Sequence, residues 1–172
     1  MNRAAALICS AAALLFSSAA DAAPAHCDKA PPVAAAWLTR HSGWRIVTLA
    51  DLNRDDQVLW RRYEHGACPG IAVAHLDASP EPHIALALMS AGPAPYRERF
   101  MLFQRRHAPR QLTSMRLTNL GVVRRERPGR YHGFEGGKVR LPHDGITAEY
   151  LETSSQLFYL EAGRLKNIWT TD

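Results

Sequence analysis

The chain has 172 residues, 47% of them hydrophobic and 22% charged, and its formal net charge at pH 7 is +5. That composition is ordinary for a globular protein, and the length suits one domain with a sizeable core. The positive charge favours an anionic partner. The chain has no dense block of lysine and arginine, so the alternative that the charge serves solubility alone stays open.

The first 22 residues have the pattern of a secretory signal peptide. Arg3 gives a positive start, an almost unbroken apolar run covers 4–16, and the small-x-small sequence at 20–22 is typical of a cleavage site. The apolar run is too short to span a bilayer. We therefore expect one exported domain over 23–172, periplasmic or secreted, without a transmembrane segment. Its anionic partners there would be envelope components or an acidic protein rather than nucleic acid.

Cysteine usage agrees with export. Cys9 lies within the predicted signal peptide, so Cys27 and Cys68 remain in the mature chain. An even pair in an oxidising compartment predicts a disulfide. On chain-entropy grounds the closure of such a long loop stabilises the fold by about 4 kcal/mol. The alternative is a catalytic thiol activated by His26 or His65, which a disulfide would remove.

The N-terminal part is predicted to be helical. A proline pair followed by residues 33–41 predicts a short helix. Residues 51–65 predict an amphipathic helix with acids in its first turn and arginines near its end, and Leu59 and Trp60 are expected to face the core. The segment 51–56 (DLNRDD) also has the alternating oxygens of a calcium loop. It lacks the turn glycine and the final glutamate of such loops, so a capped helix start is favoured.

From residue 70 onward the hydrophobic period approaches two, which is typical of strands. Turn sequences such as DASPEP separate the apolar runs, and strands do not alternate with helices. We therefore predict an α+β domain, in which the N-terminal helices pack on one face of an antiparallel β-sheet or meander. The expected strands cover 71–76, 83–89, 100–104, 112–117, 122–125, 138–141, 146–151, 156–160 and 165–169.

One predicted hairpin carries a candidate metal site. The stretch 74–88 (AHLDASPEPHIALAL) resembles a degenerate FG-GAP or VCBS-type repeat, whose motif would start at His75 and end at 82–85. Only Asp77 keeps a carboxylate at a ligand position, so the resemblance implies a related hairpin geometry more than a calcium site. His75, Asp77 and His83 are also a candidate transition-metal site, because two histidines flank a turn with an acid between them.

A second candidate surface is rich in arginine. A smaller cluster consists of Arg105, Arg106 and Arg110. The larger one brackets a Pro-Gly turn and comprises Arg124, Arg125, Arg127, Arg130 and Tyr131. Guanidinium groups beside aromatic rings suit an interface, because they stack and pair bidentately with carboxylate or phosphate. The alternative interpretation is two solvated strand ends.

The sequence predicts no catalytic residue and no cofactor. It lacks G-x-S-x-G, H-E-x-x-H, a glycine-rich phosphate loop and S-x-x-K. The C-terminal stretch 141–172 is similar to the ends of small exported bacterial proteins without an assigned activity. We expect a non-enzymatic binding or inhibitor-type domain. The alternative is a periplasmic metal-dependent hydrolase with its site near His75, Asp77 and His83.

Intact-mass analysis tests export and redox state together. Material recovered from the periplasm should begin at Ala23, because signal peptidase cleaves after the small-x-small sequence. Its mass should be lower than that of the reduced chain by two hydrogens, which one disulfide removes. Two free thiols would contradict the disulfide, and an uncleaved mass would contradict export.

Overall fold

The computed structural model describes residues 27, 29–92, 97–104, 110–117, 121–134, 136–150 and 154–170, with the side chain of Tyr150 excepted. The predicted signal peptide therefore lies outside the described residues. The helices are α1 (Pro32–Arg40) and α2 (Arg54–Tyr63), and a short 3-10 turn (Leu49–Asp51) lies between them. The strands are β1 (Trp44–Ile46), β2 (Ile71–Ala74), β3 (His83–Ser90), β4 (Glu98–Gln104), β5 (Arg110–Leu117), β6 (Gly121–Glu126), β7 (Gly129–His132), β8 (Lys138–Leu141), β9 (Gly145–Tyr150), β10 (Ser154–Glu161) and β11 (Arg164–Thr170).

Two larger sheets and one hairpin make up the β-structure. The first sheet has the strand order β1-β3-β4-β5, and β2 also pairs with β3. The second sheet has the order β11-β10-β9-β6, and β7 pairs with β8 as a separate two-stranded ribbon. These pairings are antiparallel. Strands take up 52% of the described residues and helices 17%. The expected α+β class, with helices packed on a sheet, is therefore wrong, and the fold is β-rich.

The main core lies between the two larger sheets. Phe100 of β4 stacks on Phe158 of β10, with ring centroids 4.6 Å apart and planes inclined by 17°. Leu102 from the first sheet and Ile146 from the second are buried in the same cluster. The prediction failed here because alternation along a strand shows that it has two faces, but it does not show which strands share a sheet. Two sheets that cover each other need no helical layer between them.

A second apolar cluster lies on the other face of the first sheet. Leu86 and Leu88 of β3 point into it, whereas their neighbours Ala85 and Ala87 belong to the main core. The cluster also takes the buried face of α1, which includes Trp37. A central strand covered on both faces reads as a continuous apolar run, and this one (HIALALMS) does so.

The predicted disulfide is confirmed. Cys27 and Cys68 are bonded, and the bond joins positions 41 residues apart in the chain. Cys68 is buried in the cluster beneath α1, and Cys27 packs against that cluster. The bond therefore ties the start of the described chain to the turn that precedes β2.

The second helix is shorter than predicted, and only one of its two expected core residues is buried. Trp60 is 6% exposed, and its indole N–H donates a 2.7 Å hydrogen bond to the carbonyl oxygen of Ala67, so its prediction is confirmed. Leu59 is 49% exposed, so its prediction is wrong. Successive residues of an α-helix are separated by about 100° around the axis, so neighbours do not share the centre of one buried face.

Replacing Trp60 tests this helix register. Trp60→Ala should lower the free energy of unfolding by about 3–5 kcal/mol, because it removes a buried aromatic side chain and leaves a cavity. Leu59→Ala is the matched control and should change it by no more than about 0.5 kcal/mol. Urea unfolding of both variants provides the measurement. Equal losses in the two variants would contradict the register.

Candidate functional site

The candidate metal-binding residues do not converge. His83 is fully buried at the start of β3, whereas His75 is exposed. The Nδ1–H of His75 donates to the carbonyl oxygen of Ser79 at 3.2 Å, and a carboxylate oxygen of Asp77 accepts the Ser79 amide at 3.0 Å. Within the described residues, no group of three or more histidine, cysteine, aspartate or glutamate residues could hold a metal ion. His75 and Asp77 thus make hydrogen bonds that stabilise the turn between β2 and β3.

The calcium-like segment is a helix start, as favoured from the sequence. The side-chain oxygen of Asn53 accepts the amides of Asp55 and Asp56 at 3.0 and 2.9 Å, which is the geometry of an N-cap. Asp51 instead receives two hydrogen bonds from the guanidinium of Arg45, at 2.6 and 2.7 Å. Burial alone would raise the pKa of Asp51, but hydrogen bonds from Arg45 and Thr48 outweigh it and the pKa is lowered.

The larger arginine cluster is divided by the structure. Arg125 is half-exposed and is paired with Asp144, whose carboxylate accepts from the Nε and a terminal nitrogen of the guanidinium, both at 2.9 Å. Asp144 is also hydrogen-bonded to the backbone amide of His75 at 2.8 Å, and its side chain is only 4% exposed. This bidentate pair joins the end of β6 to the turns that follow β2 and precede β9. Arg125 therefore has a structural partner within the fold.

Arg124 lies beside two glutamate carboxylates. Its Nε is 2.9 Å from a carboxylate oxygen of Glu126 and 3.3 Å from one of Glu149. Thr147, the register partner of Arg124 on β9, donates to Glu126 at 3.0 Å. Arg124, Glu126 and Thr147 line a cleft of about 260 Å³ between the second sheet and the β7–β8 ribbon, which contributes Arg130, Tyr131 and His132. The charge at the floor of the cleft is thus balanced by neighbouring groups.

The ribbon forms one wall of this cleft through Tyr131. The phenol donates to the carbonyl oxygen of Arg127 at 2.6 Å and lies 3.4 Å from a carboxylate oxygen of Glu126. Burial raises the pKa of Tyr131, and the charge of Glu126 raises it further. The phenol therefore stays protonated at neutral pH and acts as a donor that fixes the turn between β6 and β7.

The outer face of the ribbon carries the remaining cations. Arg130 of β7 pairs in register with Arg140 of β8, and His132 pairs with Lys138. All four side chains are exposed, and Tyr131 and the other alternate residues point the opposite way. Among the described residues, none makes an ion pair with Arg130, Lys138 or Arg140. We call Arg127, at the adjoining turn, together with these four residues the cationic ribbon face.

Two of the five residues of this face, Arg127 and Arg130, were predicted from the sequence because they are clustered in the chain. His132, Lys138 and Arg140 were not predicted. The alternation of cations in RYH at 130–132 and KVR at 138–140, on either side of a glycine-rich loop, was the available signal. Of the smaller cluster, Arg105 and Arg106 lie outside the described residues, while Arg110 is exposed at the start of β5.

Comparison with known proteins adds no relative. Neither a family model nor a curated protein nor a solved structure matches the chain. The resemblance of 74–88 to an FG-GAP-type repeat therefore stays a prediction. In the part of the chain that the structure describes, no helix has the length and apolar character needed to cross a membrane.

Removing Arg125 tests whether it serves the fold. Arg125→Met should lower the free energy of unfolding by about 2–3 kcal/mol, because it leaves the buried Asp144 carboxylate without its cation. Arg127→Met, the exposed neighbour, is the control and should change it by no more than about 0.5 kcal/mol. Adding Asp144→Asn to Arg125→Met should recover about 1 kcal/mol, since the amide oxygen still accepts the His75 N–H and carries no charge. Urea unfolding measures each value.

If Arg125→Met were as stable as wild type, the structural role of Arg125 would be contradicted, and the residue would again be a candidate for the binding surface predicted from the sequence.

Proposed function

We propose that the chain is an exported, non-enzymatic domain of binding or inhibitor type, and that it holds an anionic partner on the cationic ribbon face. The partner would be a component of the cell envelope or an acidic protein. The observation that carries this proposal is the pair of basic rows, Arg130 with Arg140 and His132 with Lys138. Export rests on the predicted signal peptide, with which the Cys27–Cys68 disulfide is compatible.

The row of Arg130 and Arg140 is unfavourable for the isolated fold. Like charges directly opposite on neighbouring strands destabilise a pair, by amounts of up to about 1 kcal/mol. Elsewhere the chain pairs its arginines with carboxylates, as in Arg45 with Asp51 and Arg125 with Asp144. On the cationic ribbon face, by contrast, basic residues stand opposite one another in two adjacent rows. A polyanionic partner would supply the missing countercharge, which is the physical argument for binding there.

The ribbon is also held firmly enough to serve as a binding surface. Its inward residue Leu141 is buried, and a Cβ added at Gly145 of β9 would lie 2.8 Å from a Leu141 methyl and 2.6 Å from one of Leu157. Ribbon and second sheet are therefore in close contact at Gly145, where an added side chain would have to displace these leucine methyl groups. Rigid support limits the entropy lost when the outer face binds.

The hydrolase alternative has no support in the geometry. His75, Asp77 and His83 are engaged in turn hydrogen bonding or in the core, and they do not face a common point. A metal-activated water needs several ligands around one ion and an open coordination position. We therefore do not pursue that function.

Charge reversal on the ribbon tests the proposal. Arg130→Glu with Arg140→Glu should weaken binding to immobilised poly-L-glutamate, lipopolysaccharide or anionic vesicles at least about tenfold at low salt, mainly through slower association. Arg61→Glu with Arg62→Glu on α2 is the matched control, because it changes net charge equally at exposed positions. Surface plasmon resonance at low and moderate salt measures the rates.

Thermal unfolding should show both double variants folded. Binding that ignores salt, or that falls equally in the two variants, would contradict a specific ribbon surface.

A further inference from the structure

We propose that the anionic partner is a phospholipid bilayer surface, and that the end of the β7–β8 ribbon enters its interfacial region through Phe134. This inference rests on the proposed function and specifies its partner. It comes from two exposed aromatic residues next to the cationic ribbon face, neither of which the proposed function uses.

Phe134 is the most exposed large apolar residue of the described chain. Its side chain is 75% exposed, and it lies in the loop that joins β7 to β8. Trp169 of β11 is 47% exposed, and its carbonyl oxygen accepts the Phe134 amide at 2.9 Å. Two aromatic residues thus meet at one end of the ribbon. Aromatic rings are favoured at the boundary between head groups and acyl chains, where their apolar bodies leave water.

The loop that presents Phe134 is ordered by its own backbone. The amide of Gly133 donates to the carbonyl of Gly137 at 2.6 Å, and the amide of Gly136 donates back to Gly133 at 3.0 Å. Gly136 has a φ of +77°, a conformation that favours glycine. Gly133 also bridges to Thr170 of β11. Backbone hydrogen bonds at Gly133, Phe134 and Gly136 therefore hold the described part of this loop, which reduces the ordering that insertion of the phenyl ring would need.

Basic residues lie on the ribbon next to the loop that contains Phe134. Lys138 and His132 form the row nearest the loop, and Arg130 and Arg140 form the next. With Arg127 the face carries four full positive charges, from three arginines and one lysine. Lysine and arginine near an anionic leaflet each contribute on the order of 1 kcal/mol, about a fivefold gain in partition. Aromatic insertion and phosphate attraction are the two contributions that peripheral membrane binding combines.

The shape of the surface favours a bilayer over an acidic protein. The ribbon turns its apolar side onto the second sheet through Leu141, and the phenyl ring of Phe134 is exposed at its end. A protein partner would need a pocket for the projecting Phe134 ring, whereas a lipid interface accommodates it without one. The neighbouring cleft is lined by Tyr131 together with Arg130 and His132, and Phe134 is not among its lining residues.

Vesicle binding provides the test, with the purified full protein and two membrane compositions. One set of vesicles contains phosphatidylcholine alone, and the other adds about 30 mol% phosphatidylglycerol to give an anionic surface. Cosedimentation should show at least about tenfold stronger partition into the anionic vesicles, because four cations face the membrane. Phe134→Ala should lower that partition about tenfold, since burial of a phenyl side chain is lost. Tyr63→Ala on α2 is the aromatic control, because Tyr63 is 65% exposed, and it should leave partition within about twofold of wild type.

Binding to poly-L-glutamate separates this inference from the proposed function. Phe134→Ala should bind that polyanion as wild type does, because no apolar phase is present. Salt-sensitive binding to poly-L-glutamate without binding to anionic vesicles would overturn the membrane inference and leave the proposed function standing. Equal vesicle partition of Phe134→Ala and Tyr63→Ala would also overturn it. Failure to bind poly-L-glutamate, lipopolysaccharide and vesicles would overturn both proposals.

Discussion

The contact between the two larger sheets is the constraint on which the rest of the structure depends. Phe100 and Phe158 stack at its centre, and smaller residues such as Ala85 and Ala148 fill the space around them. A sheet that packed only against one other sheet would need apolar residues on one face alone. The first sheet, however, also carries large apolar residues on its far face, represented by Leu86. Helix α1 and the disulfide at Cys68 cover that face.

The second sheet also has a second face that must be covered, and the β7–β8 ribbon covers part of it. Leu157 and Thr147 are buried in it, and the β7–β8 ribbon lies against it through Leu141. The glycine at 145 permits the close approach. Because the ribbon turns its apolar residues inward, packing places no demand on the outward ones. The sequence of the outer face can therefore serve a purpose other than stability, and it is cationic.

Local features were predictable from the sequence, and long-range ones were not. The capped start of the second helix, the burial of Trp60 and the pairing of Cys27 with Cys68 follow from residue types within a short window or from a count of two cysteines. The division of the strands into two sheets depends on contacts between distant segments. Hydrophobic alternation alone therefore predicted a single sheet covered by helices. The same limit applies to the site, where Arg125 could not be separated from Arg127 before Asp144 was placed beside it.

The ion pairs beneath the ribbon make its outer cations more effective. Arg124 and Arg125 each lie within about 3 Å of a carboxylate, so their fields largely cancel over short distances. Screening at physiological salt removes the field of more remote charges beyond about 8 Å. A partner approaching the ribbon therefore meets mainly the field of Arg130, Arg140 and Lys138, because none of these side chains makes an ion pair with another described residue. Internal pairing in the second sheet thus turns a modest net charge into a localised positive surface beside an exposed aromatic loop.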